Sequence, residues 1–165
     1  MLRIEALTKA HKRRLFDCGS EALNRFLQQF ARQHAEREIS RTFILVDDEA
    51  PLAILGYLTL TACEVVATKL PESHQHKYPH PMSAAKLARL AVAKDWQRKE
   101  YGKLMLIETM RRTLAVGEHV GLIGLFVDAK DVNASVYYQS LGFVEVGNDT
   151  NSLFMPLKTI REALE

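Results

Sequence analysis

Two stretches of the chain carry side chains whose types and spacing could do chemistry. The first, Asn133-Ala134-Ser135-Val136-Tyr137-Tyr138-Gln139-Ser140-Leu141-Gly142-Phe143, follows an apolar run that ends at Asp128 and sets a polar amide and a phenol on one short helix. A phenol can give its proton to a departing thiolate, and general acid help of this type is worth about 10²–10⁴ in rate. Tyrosine is also common in partly buried positions, so Tyr138 by itself also reads as a core residue with a satisfied hydroxyl. The second stretch is Gln97-Arg98-Lys99-Glu100-Tyr101-Gly102 with Lys103 behind it. Where a strand passes through such a turn into a helix, the first helical N–H groups lack intrahelical acceptors and form an anion site. Arg98, Lys99 and Lys103 add positive charge there, and Gly102 admits a phosphate close to the backbone. Glu100 brings the opposite charge, and a solvated helix start would fit the same residues.

Other groupings are less telling. Cys18 and Cys63 are the only cysteines, too few and too far apart for a disulfide framework, and no Cys/His cluster has the spacing of a zinc site. His74, His76 and His80 lie close together but in a Pro-punctuated stretch without a nearby carboxylate, so no metal is expected. The net charge of +2 hides a segregation along the chain. Residues 1–46 carry nine basic and five acidic side chains, 47–84 two and five, 85–112 eight and three, and 113–165 three and seven. Two basic segments that converge would attract a polyanion, and the second could serve a phosphate-bearing cofactor; ordinary solvated faces would also account for them.

These residues need elements to position them. At 165 residues, 47% hydrophobic and 25% charged, the chain suits a single globular domain over 1–165. Residues 2–7 predict a strand. Ser20 predicts an N-cap for a helix to about residue 37, with Leu23, Phe26, Leu27, Phe30 and Ala31 on one apolar stripe. Thr42–Val46, Leu52–Leu60 and Thr61–Thr68 read as strands of an antiparallel meander, and residues 69–83 as a long irregular connection of the kind that often borders a binding site. Ala85–Ala93 reads as a strand, Lys94–Gly102 as a polar turn, and Leu104, Ile107, Met110 and Leu114 mark a helix ending near Gly117. A strand over Val120–Val127, a helix over Asn133–Leu141 stopped by Gly142, and strands over Phe143–Val146 and Ser152–Leu157 complete a mixed α/β (α+β) fold, a central mostly antiparallel sheet flanked by helices. No apolar run is long enough for a signal peptide or a membrane span, so a cytoplasmic protein is expected.

Taken in order, Leu87-Ala88-Arg89-Leu90-Ala91-Val92, the Gln97–Gly102 turn and Val136-Tyr137-Tyr138-Gln139-Ser140-Leu141-Gly142-Phe143 resemble the GCN5-related N-acetyltransferase superfamily over nearly the whole chain. The resemblance implies acetyl-CoA as cofactor. It implies a pantetheine-lining strand at Leu90, Ala91 and Val92, a pyrophosphate turn at Gln97, Arg98, Lys99, Tyr101, Gly102 and Lys103, a pantetheine contact at Asn133, and Tyr138 as the acid that protonates the coenzyme A thiolate. One position departs: Glu100 stands where the family's turn has its first glycine. Phe16-Asp17-Cys18-Gly19-Ser20, Leu23-Asn24-Arg25-Phe26-Leu27 and Ser40-Arg41-Thr42-Phe43 narrow the likeness to the acetyltransferase toxins of bacterial type II toxin–antitoxin systems. That narrower resemblance implies acetylation of the α-amino group of aminoacyl-tRNA and neutralisation by a small DNA-binding antitoxin. Arg32, Arg37, Arg41, Lys77, Lys86 and Arg89 are then the candidate tRNA contacts.

The expected reaction is direct attack of a primary amine on the thioester, with backbone N–H groups near Leu90–Val92 steadying the oxyanion and Tyr138 protonating the sulfur. Neither cysteine has a His base beside it, so no acyl-enzyme is expected. Glu64, His119 or a water chain could serve as base. A small-molecule or protein amine is the rival acceptor, and a non-catalytic cofactor-fold protein that binds RNA or a partner helix is the rival class. A homodimer is compatible with the sequence, which leaves the oligomeric state open.

Overall fold

The computed structural model describes residues 1–65, 81–146 and 149–165. Seven strands form one sheet in the order β1-β2-β3-β4-β5-β7-β6. The strands are β1 (Leu2–Ala6), β2 (Arg41–Asp47), β3 (Gly56–Val65), β4 (Met82–Val92), β5 (Gly124–Asp128), β6 (Val144–Val146) and β7 (Asp149–Pro156), and the helices are α1 (Glu21–Arg25), α2 (Ala31–Glu36), α3 (Tyr101–Gly117), α4 (Val132–Ser140) and α5 (Leu157–Leu164). Among the described registers β4–β5 is parallel and the others antiparallel, as the mixed, mostly antiparallel expectation requires. The contacts divide into two compact units, residues 1–61 with 88–109 and residues 62–87 with 110–165.

In the first unit, β1, β2 and the start of β3 are antiparallel neighbours, so the strand expected over residues 2–7 takes an edge of the meander in place of one of the three strands expected there. Its core gathers Phe16, Phe26, Leu27, Ala31, Ile44, Val46, Ile54, Tyr57 and Ala91. Ser20 caps α1 as its sequence position predicts, its hydroxyl accepting from the Leu23 N–H at 3.3 Å. The helix expected to run unbroken to residue 37 is interrupted by a π-turn over Phe26–Phe30. Gln28 is held from outside the helix: its carbonyl accepts from Arg13 Nη1 at 3.3 Å and its amide donates to the Phe16 carbonyl at 3.1 Å. The wider turn keeps Leu27 and Ala31 on the buried face and turns Phe30, expected on the same stripe, out to solvent.

The strands expected over Leu52–Leu60 and Thr61–Thr68 are, as far as the described residues go, one strand from Gly56 to Val65; residues 66–68 lie outside the described residues. Residues 52–55 belong to the preceding turn, where the Leu52 carbonyl accepts from Lys12 N–H at 2.9 Å. Gly56 is required by packing, since a Cβ there would lie 2.8 Å from the Ala91 carbonyl oxygen. Most of the irregular connection expected over 69–83, with His74, His76, His80 and Lys77, lies outside the described residues. Its described end, Met82 and Ser83, already belongs to β4.

In the second unit, Val65, Met82, Ala84, Phe126, Val146 and Phe154 form the core. The strand expected from Val120 starts at Gly124 because Val120 still closes the end of α3, its N–H donating to the Val116 carbonyl at 3.0 Å. Helix α4 begins one residue earlier than expected, capped by Asp131, whose carboxylate accepts from Ala134 N–H at 2.8 Å. Gly142 ends it with φ near +107°, a conformation other residues rarely adopt. Helix α5 was not expected; Pro156 stands at its N-cap and Ile160 is fully buried. No described helix is long and apolar enough to cross a membrane.

Candidate active site

In the first unit β4 leads through a 3-10 turn at Lys94–Trp96 into Gln97–Glu100 and the start of α3. The β4–β5 register covers Ala85, Lys86 and Leu87, so Leu90, Ala91 and Val92 lie past its last pair; Ala91 is buried and its neighbours half-buried. Arg98 and Glu100 both have positive φ, +64° and +65°, and Lys99 between them does not. A turn that alternates into the left-handed region gathers successive N–H groups into a concavity suited to an anion. The Glu100 carbonyl accepts the first helical bond of α3, from Leu104 N–H at 3.1 Å. The N–H groups of Tyr101, Gly102 and Lys103 are therefore left without an intrahelical acceptor, at the positive end of a 17-residue helix. Among the described residues, a Cβ on Gly102 would meet no atom within 4 Å beyond the adjoining helix backbone, so there is open space beside it. These donors and this room fit a pyrophosphate.

The turn's side chains behave differently from one another. Gln97 spends both amide protons inside the protein, donating to the Cys18 and Val92 carbonyls at 2.9 Å each. It is therefore a brace for the turn rather than a hand toward a ligand. Tyr101 stacks on Trp96 at 6.1 Å between centroids and 16° between planes, and Lys99 Nζ sits 4.9 Å from the Trp96 ring. Arg98 and Lys103 are exposed. Glu100 is exposed too, but it holds a backbone conformation that costs a non-glycine residue about 1 kcal/mol or more.

In the second unit, Asn133 is exposed on the first turn of α4 and Tyr138 is 9% exposed on its inner face. The Tyr138 ring meets Phe143 edge-on at 5.7 Å and Tyr137 at 5.9 Å. No hydrogen bond ties the Tyr138 hydroxyl to another described residue. Burial first, and the neighbouring Tyr137 second, push its pKa up to about 12. The phenol, protonated in the neutral range even at its ordinary pKa, here keeps its proton well into the alkaline range, which is the state a proton donor needs. Glu64 and His119 are both exposed, and neither side chain makes a described hydrogen bond. Burial raises the Cys63 thiol, which makes it a poorer nucleophile.

The candidate polyanion contacts separate into groups. Arg32 and Arg41 line one cavity of about 390 Å³ in the first unit, with Lys9 and Glu36 also at its wall. Arg32 pairs with Glu36 at 3.4 Å, while Arg41 pairs with Glu38 and donates to the Ala35 carbonyl at 2.7 Å. Arg37 is exposed just past α2. The Arg89 guanidinium lies over the Phe26 ring at 3.6 Å, which makes it a packing element as well as a charge. Lys86, in the second unit, is paired with Asp128 at 2.8 Å. Among the described residues no group of three His, Cys, Asp or Glu could hold a metal ion.

Comparison with known proteins gives these features a context. The acetyltransferase (GNAT) domain family matches residues 15–157. A curated relative, the tRNA-acetylating toxin of Mycobacterium tuberculosis, is 24% identical over 146 residues, which are 88% of this chain and 86% of that protein. Among solved structures, AtaT complexed with acetyl-methionyl-tRNAfMet superposes with a TM-score of 0.91 at 33% identity, covering 100% of both chains. A mutant AtaT toxin bound to the C-terminus of the antitoxin AtaR and acetyl-CoA superposes with a TM-score of 0.81 at 31% identity, covering 98% of this chain and 97% of that one.

Proposed function

Because the chain belongs to the GNAT acetyltransferase family, we propose that it moves the acetyl group of acetyl-CoA onto the α-amino group of an aminoacyl-tRNA, as a toxin. The likeness to AtaT in complex with acetyl-methionyl-tRNAfMet, over the full length of both chains, carries the choice of acceptor. On this reading residues 1–165 act as one N-acetyltransferase domain, and a tRNA acceptor places it in the cytoplasm. A small antitoxin is its regulatory partner, in line with the AtaT–AtaR likeness.

When bound, acetyl-CoA would supply a thioester as the acetyl donor for direct transfer to the acceptor amine. The α3 N-terminus at Tyr101, Gly102 and Lys103 and the turn before it hold the pyrophosphate through backbone N–H groups, with Arg98 and Lys103 adding charge. Leu90, Ala91 and Val92 would line the pantetheine with β4 backbone, and the exposed Asn133 amide is the further pantetheine contact that the family resemblance implies. The β4 N–H groups past Leu87 steady charge on the carbonyl oxygen. Tyr138, whose hydroxyl has no hydrogen bond to another described residue, would give its proton to the departing sulfur and regain one from the proton that the acylated amine releases through water. Its high pKa is no obstacle, because a thiolate leaving in a dry site is itself made more basic by desolvation. Arg32, Arg37 and Arg41 meet tRNA phosphates, and Lys86 and Arg89 add to the field while staying fixed by Asp128 and Phe26.

An acylation assay offering charged tRNA, polyamines, antibiotics and N-terminal peptides as acceptors tests the proposal. Transfer to charged tRNA that fades as salt is raised is the expected result. Transfer only to a small or peptide amine would replace the acceptor, and failure to bind acetyl-CoA at millimolar concentration would favour a non-catalytic cofactor-fold protein.

A further inference from the structure

The Phe16–Ser20 and Leu23–Leu27 motifs remain without a task in this scheme, and their bonds supply one. Asp17 Oδ1 accepts from the Gly19 N–H and from Asn24 Nδ2, each at 2.9 Å, closing a tight side-chain turn around Gly19, whose φ is +90°. Asn24 Oδ1 accepts from the Cys18 N–H at 2.9 Å. The carboxylate is engaged strongly enough that its pKa falls below the ordinary value, chiefly through the Asn24 amide, then the Gly19 N–H and Lys94. Three further bonds leave this knot for the segment after β4. Lys94 N–H donates to the Asp17 carbonyl at 2.9 Å, Lys94 Nζ reaches Asp17 Oδ2 at 3.2 Å, and Gln97 Nε2 donates to the Cys18 carbonyl at 2.9 Å.

The geometry points to Asp17 and Asn24 as positioning residues for the pyrophosphate turn, acting through the Cys18 carbonyl and Gln97; this rests on the assignment of that turn above. The argument is one of preorganisation. A turn that binds an anion by backbone N–H groups must hold strained dihedrals, here at Arg98 and Glu100, without the glycines that would make them free. Gln97 stands immediately before this strained stretch, clamped between Val92 on β4 and Cys18 on the knot. The Cys18 carbonyl can serve as an acceptor there only while its own N–H is fixed by Asn24 and the chain reversal at Gly19 is fixed by Asp17. Neither Asp17 nor Asn24 needs to touch the ligand.

The test separates a loosened turn from a damaged fold. Binding of acetyl-CoA is compared with binding of S-acetyl-pantetheine, which lacks the pyrophosphate, for the wild type, Asp17→Ala, Asn24→Ala and Asp17→Asn. Removing either side chain should weaken acetyl-CoA about tenfold, raise its KM with kcat at saturation unchanged, and leave S-acetyl-pantetheine affinity within about twofold. Asp17→Asn retains Oδ1 as acceptor for Gly19 and Asn24 and should recover most of the affinity, even though it loses the Lys94 charge pair. Undiminished acetyl-CoA affinity in both alanine variants, or equal losses for the two ligands, would overturn the assignment. A wild type that binds no acetyl-CoA would overturn it together with the function it rests on, whereas the first two results overturn it alone.

Discussion

Replacing Tyr138 by Phe removes one oxygen from the protein and isolates its chemistry. The ring is 9% exposed and lies edge-on to Phe143 at 5.7 Å, contacts that a phenylalanine ring preserves. The hydroxyl makes no hydrogen bond to another described residue, so its loss should alter stability by no more than about 0.5 kcal/mol. Loss of a general acid costs about 10²–10⁴ in rate. At about 1.4 kcal/mol per decade, that is a barrier roughly 3–5 kcal/mol higher. Single-turnover acetyl transfer from labelled acetyl-CoA to the preferred acceptor should therefore slow by at least about a hundredfold. The acetyl-CoA dissociation constant and the melting temperature should stay near wild-type values. Since the phenol remains protonated up to about pH 12, the rise of activity with pH, set by deprotonation of the acceptor amine, should look the same in both proteins below pH 10. Turnover within threefold of wild type would refute the role of Tyr138, and a rate loss matched by a loss of cofactor affinity would refute the reasoning that it acts on the leaving group.

Gly102→Ala should fold normally, because a Cβ there meets no atom of the described residues within 4 Å beyond the adjoining helix backbone, yet it should weaken acetyl-CoA binding about tenfold or more by intruding where the pyrophosphate approaches; a thermal melt reads the first and titration calorimetry the second. Glu100→Gly removes a carboxylate and frees a residue with φ near +65°, and should tighten acetyl-CoA several-fold, most visibly at low salt. Burial raises the pKa of Tyr138 to about 12 and that of Tyr57 still further, above the ordinary tyrosine value near 10. The stability these groups contribute is complete below pH 10 and declines as pH rises beyond it, by roughly 1.4 kcal/mol at pH 11 for Tyr138 alone. Urea midpoints measured between pH 8 and 11 should show this loss, and Tyr138→Phe should reduce it.

The sequence exposed what is local. Ser20 as a cap, the strand at Thr42–Val46, the turn between β4 and α3, and α4 with Tyr138 on it follow from spacing and capping chemistry, and the structure has all of them. What depended on distant partners was hidden. The π-turn at Phe26–Phe30 exists because Arg13 and Phe16 hold Gln28 from outside the helix, and no periodicity within residues 20–37 records that. The shift of β3 to Gly56 reflects a backbone approach to Ala91. Helix α5 was legible in part: Pro156 followed by Leu157, Ile160 and Leu164 has helical spacing, but the strand-like residues before it masked the change of period.

Within the candidate site, residue types were easier to read than roles. Tyr138 was visible as a phenol that is protonated at neutral pH, but its burial, which pushes the pKa up to about 12, was not. Gln97 was visible as the first residue of the turn, while its bond to Cys18 spans 79 positions and turns it from a ligand contact into a brace. Similarly, Lys86 and Arg89 counted as free charges along the chain; in the fold, Asp128 and the Phe26 ring hold them. Charge counts see valence and not partners, and Arg32 and Arg41 are held in the same way, by Glu36 and Glu38.

The central claim, acetyl transfer from acetyl-CoA to a charged tRNA with Tyr138 as proton donor, is tested most directly by one measurement. Methionyl-tRNA is incubated with labelled acetyl-CoA and either the wild-type protein or Tyr138→Phe, and the aminoacyl end is released and analysed for N-acetyl-methionine. The account predicts rapid, salt-sensitive accumulation of N-acetyl-methionine with the wild type and a rate lower by about a hundredfold or more with the variant. No labelled product from any charged tRNA with a wild type that binds acetyl-CoA would contradict the acceptor, and equal rates for the two proteins would contradict the mechanism.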